Sequence, residues 1–276
     1  MKKIITFISI ILTNVLITFA TPQRGDILHW NDSVYRLIPF PLDSWKEFEL
    51  TSELLFGVEE EGYSTDCGRG YQAEWRIIEN ELHLIAIYSC RYFYMNENSD
   101  SLKADLSRLF PGKFKKGFVK ADWVNGDFWL SKGEIIYYDH NGVGNIYEKD
   151  IRLTFKNGIL TATQEYNNTE KTKKSVYTED HEVLLEFIYS NINWDVISEL
   201  NDSTIRVIVN FVIRETGQIQ DVRIVRGVGG QFDYEAQRVI SLIPEWTIYF
   251  THGRYYGQSW NIPVIFNEEN RKKYAR

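Results

Sequence analysis

The sequence predicts an α+β chain. A β-rich N-terminal domain over residues 21–166 precedes a small domain over residues 179–267, where a helix, a two-stranded hairpin, a second helix and a closing strand share an antiparallel sheet. Three observations predict this. Thr204 to Ile213 (TIRVIVNFVI) alternates without a break, the mark of a half-buried strand. Asn125-Gly126 and Asn157-Gly158 lie between strand-like runs, and Asn-Gly suits hairpin turns whose two central residues need positive φ. Ala236, Val239, Ile240 and Ile243 recur at helical spacing and end at Pro244, which isolates one amphipathic helix. An aromatic content of 15% fits β-rich packing.

At the start of the chain, Met1-Lys2-Lys3 precedes an apolar run from Ile4 to Ala20, which reads as a secretory signal cut ahead of Thr21. At roughly 17 residues the run sits at the lower limit for a membrane span, so an uncleaved inner-membrane anchor is the alternative. The expected location is the periplasm, with membrane contact only through residues 1–20 if they are retained. A net charge of −7 argues against a nucleic-acid surface, which needs a concentrated basic face.

Asp26 to Trp30 and Ser33 to Ile38 flank Asn31-Asp32 and read as a hairpin. Leu42 to Glu61 reads as a loop or short helix. Tyr71 to Ile78 and Leu82 to Tyr88 form a second hairpin around Glu79-Asn80-Glu81, which carries Cys67 to within a few residues of Cys90. A disulfide between them suits an oxidising compartment, and two unpaired thiols are the alternative. Ser99 to Pro111 places Leu102, Leu106, Leu109 and Phe110 on one helical face. Phe118 to Val124 and Asp127 to Leu130 are joined by Asn125-Gly126, Glu134 to Tyr138 makes a further strand, and Asp150 to Phe155 and Ile159 to Tyr166 are joined by Asn157-Gly158. The polar stretch 167–178 is the expected linker, and 268–276 a frayed solvated tail.

In the small domain, Thr204 to Ile213 and Gln218 to Arg226 make a hairpin through Gly217. Asp233 is placed as the helix N-cap with Glu235 in the first turn, and Ser259 to Phe266 closes the sheet. The ordered elements RVIVNFVI, ETGQI, DVRIV, Asp233 to Arg238 (DYEAQR), Pro244-Glu245-Trp246 and Ile262 to Phe266 (IPVIF) resemble the TonB C-terminal domain. Leu185 to Trp194 resembles the helix that precedes the family's first strand. The chain departs from the family in the Thr247-Ile248-Tyr249 step after Trp246. It also departs from the family's energy transducers, which have a long Pro-rich segment and a histidine in the apolar run. The resemblance implies protein binding by an exposed sheet edge, the partner being a TonB-box-like strand of an envelope or outer-membrane protein.

Pro263 supports the same conclusion independently. A proline cannot donate to a strand ladder, so it belongs on an edge or at a bulge. Trp260, Ile262, Pro263, Val264 and Phe266 are therefore the candidate partner-binding residues, by β-augmentation or by self-association. No catalytic residue, metal ligand or cofactor motif is assigned. His29, His83, His140, His181 and His252 are dispersed, and no H-E-x-x-H, G-x-S-x-G or phosphate-loop pattern occurs. His140 with Tyr137, Tyr138 and Asp139 reads as a strand-end cluster, and Asp66, Arg69 and Glu74 as a solvated rim. Trp123, Phe128 and Trp129 read as core. The alternative function makes the N-terminal domain a ligand-binding or sensing module, with an aromatic-lined pocket involving Trp123, Trp129 or Tyr137 and the small domain as adaptor or dimerisation element.

Overall fold

The computed structural model describes residues 24–57, 66–93, 102–139, 144–200 and 203–275. The apolar start over residues 1–20 and His140 lie outside them.

β1 (Asp26–Trp30) and β2 (Ser33–Leu37) pair through Asn31 and Asp32, whose φ of 48° and 58° supply the handedness of a tight hairpin. A 3-10 turn, Pro41–Ser44, leads to α1 (Ser52–Phe56), where Thr51 Oγ1 accepts from Leu54 N–H and Gly57 ends the helix at φ 74°. β3 (Tyr71–Ile78) and β4 (Glu81–Ser89) form the next hairpin, and Cys67 and Cys90 are joined as a disulfide with their Cα atoms 6.3 Å apart. α2 (Leu106–Leu109) follows, then β5 (Phe114–Lys115), β6 (Phe118–Lys120), β7 (Gly126–Tyr137), β8 (Ile146–Lys156) and β9 (Ile159–Asn167).

These strands form one sheet in the order β2-β1-β3-β4-β9-β8-β7, with β6 on β4 and β5 on β6. β1 and β3 are parallel, the other pairs antiparallel. The sheet rolls until Ile38, just past β2, bridges Trp129 on β7. Leu28, Trp75, Leu84, Leu130 and Leu153 fill the interior at 0% exposure.

Several expectations fail locally. Of the helix expected over Ser99 to Pro111, residues 99–101 lie outside the described residues and the rest holds one turn, because the Asp105 carboxylate accepts from Ser107 and Arg108 N–H and starts it there. Asn125-Gly126 is not a hairpin turn between β6 and β7. The chain leaves β6 at Lys120 and turns at Ala121 to Val124. β7 then pairs with β8. Glu134 to Tyr138 is the second half of β7, kinked at Gly133 (φ 87°) by a bulge.

The expected linker is ordered. Asn167 and Ser175 side chains cap α3 (Asn168–Lys171) and α4 (Val176–Glu179), and Lys173 bridges Ile248. α5 (His181–Ser190) leads to β10 (Ile205–Ile213), β11 (Ile219–Arg226) and α6 (Gly230–Ser241). Gly229, not Asp233, is the N-cap of α6. Gly229 and Gly230 take φ of 84° and 63°, which lets the helix begin earlier, and the Asp233 carboxylate accepts from Val228 N–H behind it. β12 (Phe250–Thr251) and β13 (Arg254–Tyr255) form a small hairpin in the segment after Trp246. β14 (Gln258–Phe266) closes a three-stranded sheet of order β11-β10-β14. The expected tail is α7 (Glu268–Tyr274), capped by Asn267. α5 and α6 cover one sheet face around Val207, Val209, Phe211 and Val264.

The two halves meet at the β12–β13 hairpin. Thr251 Oγ–H and His252 N–H both donate, at 2.8 Å, to one oxygen of the buried Asp150 carboxylate on β8. His252 packs edge-on against Trp129, and Tyr137 against Tyr249. A Cβ at Gly253 would stand 3.1 Å from the Tyr166 ring, so the hairpin tip needs a glycine.

Candidate functional site: the β14 edge

β14 pairs with β10 without a register shift, from Ile205 opposite Phe266 to Ile213 opposite Gln258. Among the described residues no strand lies on its other side. Side chains alternate strictly. Val264 and Phe266 are at 0% exposure in the core and Trp260 and Ile262 are half-buried against it, whereas Ser259, Asn261 and Pro263 are exposed. Of the five residues singled out in the sequence, Pro263 alone presents its side chain to solvent. Trp260, Ile262, Val264 and Phe266 anchor the strand from the inner face, because the period of two that puts them on one side puts that side on the core.

The direction of the backbone groups follows from one residue. Ile265 N–H donates to Tyr189 Oη at 3.2 Å, and its carbonyl accepts from Asn270 Nδ2–H at 2.9 Å. Both groups therefore point away from β10. In an antiparallel ladder the outward residues alternate, so Pro263, Asn261 and Ser259 also direct their backbone groups outward. Pro263 lacks an N–H where none is needed by β10, so the pairing loses nothing there.

Tyr189 and Asn270 come from α5 and α7. The rings of Tyr189 and Tyr274 stack at 5.4 Å, and the Arg271 guanidinium donates to the Ile197 and Ser198 carbonyls, which fixes α7 against the body. Burial pushes the Tyr189 phenol up, so it is a neutral hydroxyl at physiological pH.

Asn210, in mid-β10, is the polar exception in an apolar run. Its Nδ2 lies within 3.0 Å of Ser259 Oγ, the Trp260 carbonyl and Asn261 Oδ1, and its Oδ1 accepts from Arg223 Nε–H at 3.1 Å. It is 4% exposed, so these partners replace water. This ladder crosses the open sheet face, which also carries Arg206 and Arg226, both exposed. Among the described residues no carboxylate pairs with Arg206, Arg223 or Arg226.

The motif residues of the small domain serve its framework. The Glu235 carboxylate, 2% exposed, accepts from Arg238 through both oxygens and from Asn193 N–H, tying α6 to the turn after α5. Burial works to raise its pKa, but the Arg238 and Asn193 bonds outweigh it and hold it below the usual range. Trp246 packs on Phe211 and Trp260, and its backbone N–H donates to the Gly217 carbonyl.

The N-terminal candidates distribute differently from the expected rim. Arg69 pairs with the fully buried Asp26, which also accepts from Trp75 Nε1–H and Ala73 N–H. Glu74 takes His29 and Tyr88. A sheet that rolls brings β1 beside β3, so these charges face one another. Burial raises the Asp26 pKa despite Arg69. Phe128 is core, as expected. Trp129 and Tyr137 meet the β12–β13 hairpin and its approach. Trp123 joins Trp45, Phe48 and Phe110 in an aromatic cluster beside a cavity of about 440 Å³. Among the described residues no group of His, Cys, Asp and Glu could hold a metal ion, and no helix is long and apolar enough to cross a membrane.

Sequence reasoning missed Tyr189, Asp150 and Thr251, whose partners lie far off in sequence, and Asn270, which reaches back five residues from a helix where a frayed tail was expected. Asn210 carries a signal that could have found it, a lone amide in an aliphatic strand.

Residues 201–267 match the family model described as the Gram-negative bacterial TonB protein C-terminal. The match ends at the N-cap of α7, and the region before it matches no family. No curated protein and no solved structure matches the chain. A match to this family implies an envelope protein-interaction domain, and the family interacts with outer-membrane proteins.

Proposed function

We propose that the chain is a non-enzymatic periplasmic protein whose small domain recruits an extended segment of an envelope or outer-membrane transport protein by adding it as a strand to β14. The observation that carries this reading is the outward, unpaired backbone of Ser259 to Pro263 on an edge strand. The apolar start of the sequence and the Cys67–Cys90 disulfide fit an exported location. The test is Asn261→Pro, which removes an outward N–H and the Oδ1 partner of Asn210 but leaves the backbone bonds between β10 and β14. Far-UV circular dichroism should be unchanged while capture of a TonB-box peptide is lost. Undiminished capture would place the partner elsewhere, and a concentration-dependent dimer abolished by Asn261→Pro would make a second copy the occupant.

The N-terminal cavity supports a second reading, a bound apolar ligand. Trp45, Phe48, Leu54, Leu109 and Phe110 line it, and Trp45 Nε1–H is buried without a partner among the described residues. Quenching of tryptophan fluorescence by a hydrophobic dye, lost in Leu109→Trp, would support it; no quenching would dismiss it.

A further inference from the structure

We infer that the edge is a closed window rather than an open strand: it admits pairing only along Ser259 to Pro263, and the strand it selects alternates apolar with acidic residues. The inference rests on the reading of β14 as a recruiting edge.

Both ends of the window are shut by this chain's own groups. At the C-terminal end Ile265 has its N–H on Tyr189 and its carbonyl on Asn270, so an incoming strand finds no free group there. At the N-terminal end Tyr256 N–H bonds the Tyr249 carbonyl at 2.8 Å, which turns the chain into the β12–β13 hairpin before β14 begins. Between them stand the N–H groups of Ser259 and Asn261 and the carbonyls of Ser259, Asn261 and Pro263. A partner must match donors and acceptors to that set, and α7 acts as the stop that fixes its register. α7 lies beyond residues 201–267, so the stop belongs to this chain and not to the matched family region.

The side-chain preference follows from the two faces. Partner residues on the inner side would lie along half-buried Trp260 and Ile262, which favours apolar groups. Those on the other side would lie along Ser259, Asn261 and Pro263, over a face whose Arg206, Arg223 and Arg226 have no carboxylate of their own. A strand added beyond β14 sits two strand spacings from β10, about 10 Å, and three from β11, about 14 Å. These arginines therefore act as a field, not as contacts, and a Debye length of about 8 Å at physiological salt screens much of it.

The probes are two amide-capped peptides of about eight residues, one alternating valine with aspartate and one valine with lysine, titrated against the full chain at low salt. Amide hydrogen exchange reads the register. We expect slowed exchange at Ser259 and Asn261 with the aspartate peptide and no change at Ile265. Affinity should fall about three- to tenfold for the lysine peptide and for Arg206→Glu with Arg223→Glu, and the difference should shrink at 0.5 M salt. Removing the stop with Asn270→Ala and Tyr189→Phe should extend protection to Ile265. Equal binding of both peptides with protection of Ser259 and Asn261 would overturn the acidic preference and leave the recruiting edge standing. Added protection at Ile265 when peptide binds the unaltered chain would overturn the window. Protection by neither peptide, nor by a TonB-box peptide, would overturn window and edge together.

Discussion

Asp26 in the N-terminal sheet and Glu235 in the small domain are both shut away from water, and the two regions treat the same chemical group in opposite ways. Asp26 is walled in by Arg69, Trp75 and the Ala73 N–H, yet desolvation dominates and its pKa rises. Glu235 has one face on Arg238 and the Asn193 N–H, and there the partners prevail over burial. Burial therefore prevails over the partners at Asp26, whereas the small domain uses its carboxylate to tie α6 to the turn after α5. A family pattern that runs through Asp233 to Arg238 is in physical terms a record of that tie.

The largest effect that separates the regions should come from Phe211→Ala, at the centre of the small domain's core. Deleting a ring at 0% exposure costs about 3–5 kcal/mol. Amide exchange should rise throughout β10, β11 and β14 while β3 and β4 keep their protection. Equal loss in both regions would show one cooperative unit instead of two.

Next in size is Asp150→Ala, which strips two donors at the junction of their shared acceptor and should cost about 1–3 kcal/mol. Calorimetry should then resolve two transitions, or widen their spacing. A single undisturbed transition would mean that the aromatic contacts of Trp129 and Tyr137 alone hold the halves together.

The smallest effect is that of pH, with opposite sign in the two regions. Glu235 has a lowered pKa, so its contribution is present above its unfolded value of 4.5 and is lost as pH falls through the folded value. Asp26 has a raised pKa, so its contribution is complete below its unfolded value of 3.8 and is lost as pH rises through the folded value. Acidification below pH 4.5 should weaken exchange protection in α6 relative to β3. Parallel decline in both regions would refute the contrast.

Much of the fold could be read from local patterns, because each hairpin and the α6 face is specified by residues a few positions apart. Asn31-Asp32, Asn157-Gly158 and the Ala236 to Ile243 spacing needed no distant partner. Asn125-Gly126 misled for the same reason: the turn signal was there, but which strand β7 pairs with was decided by β8, some twenty residues on. At the candidate site Pro263 marked the edge correctly as a backbone feature, and the alternation around it put its neighbours on the inner face. The stop at Ile265 could not be read at all, since it depends on a tyrosine 76 residues upstream and on a helix where composition suggested a solvated tail.

The β12–β13 hairpin also has a kinetic consequence. Its bonds to Asp150 close loops of 101 and 102 residues, far longer than those within any of the hairpins on either side. Ordering so long a loop before any contact compensates for it is entropically unfavourable, so local hairpins and α6 should form first and the clasp last. Refolding should therefore show a late step, sensed by Trp129 as His252 arrives against its ring, after the small domain has already acquired its protected sheet.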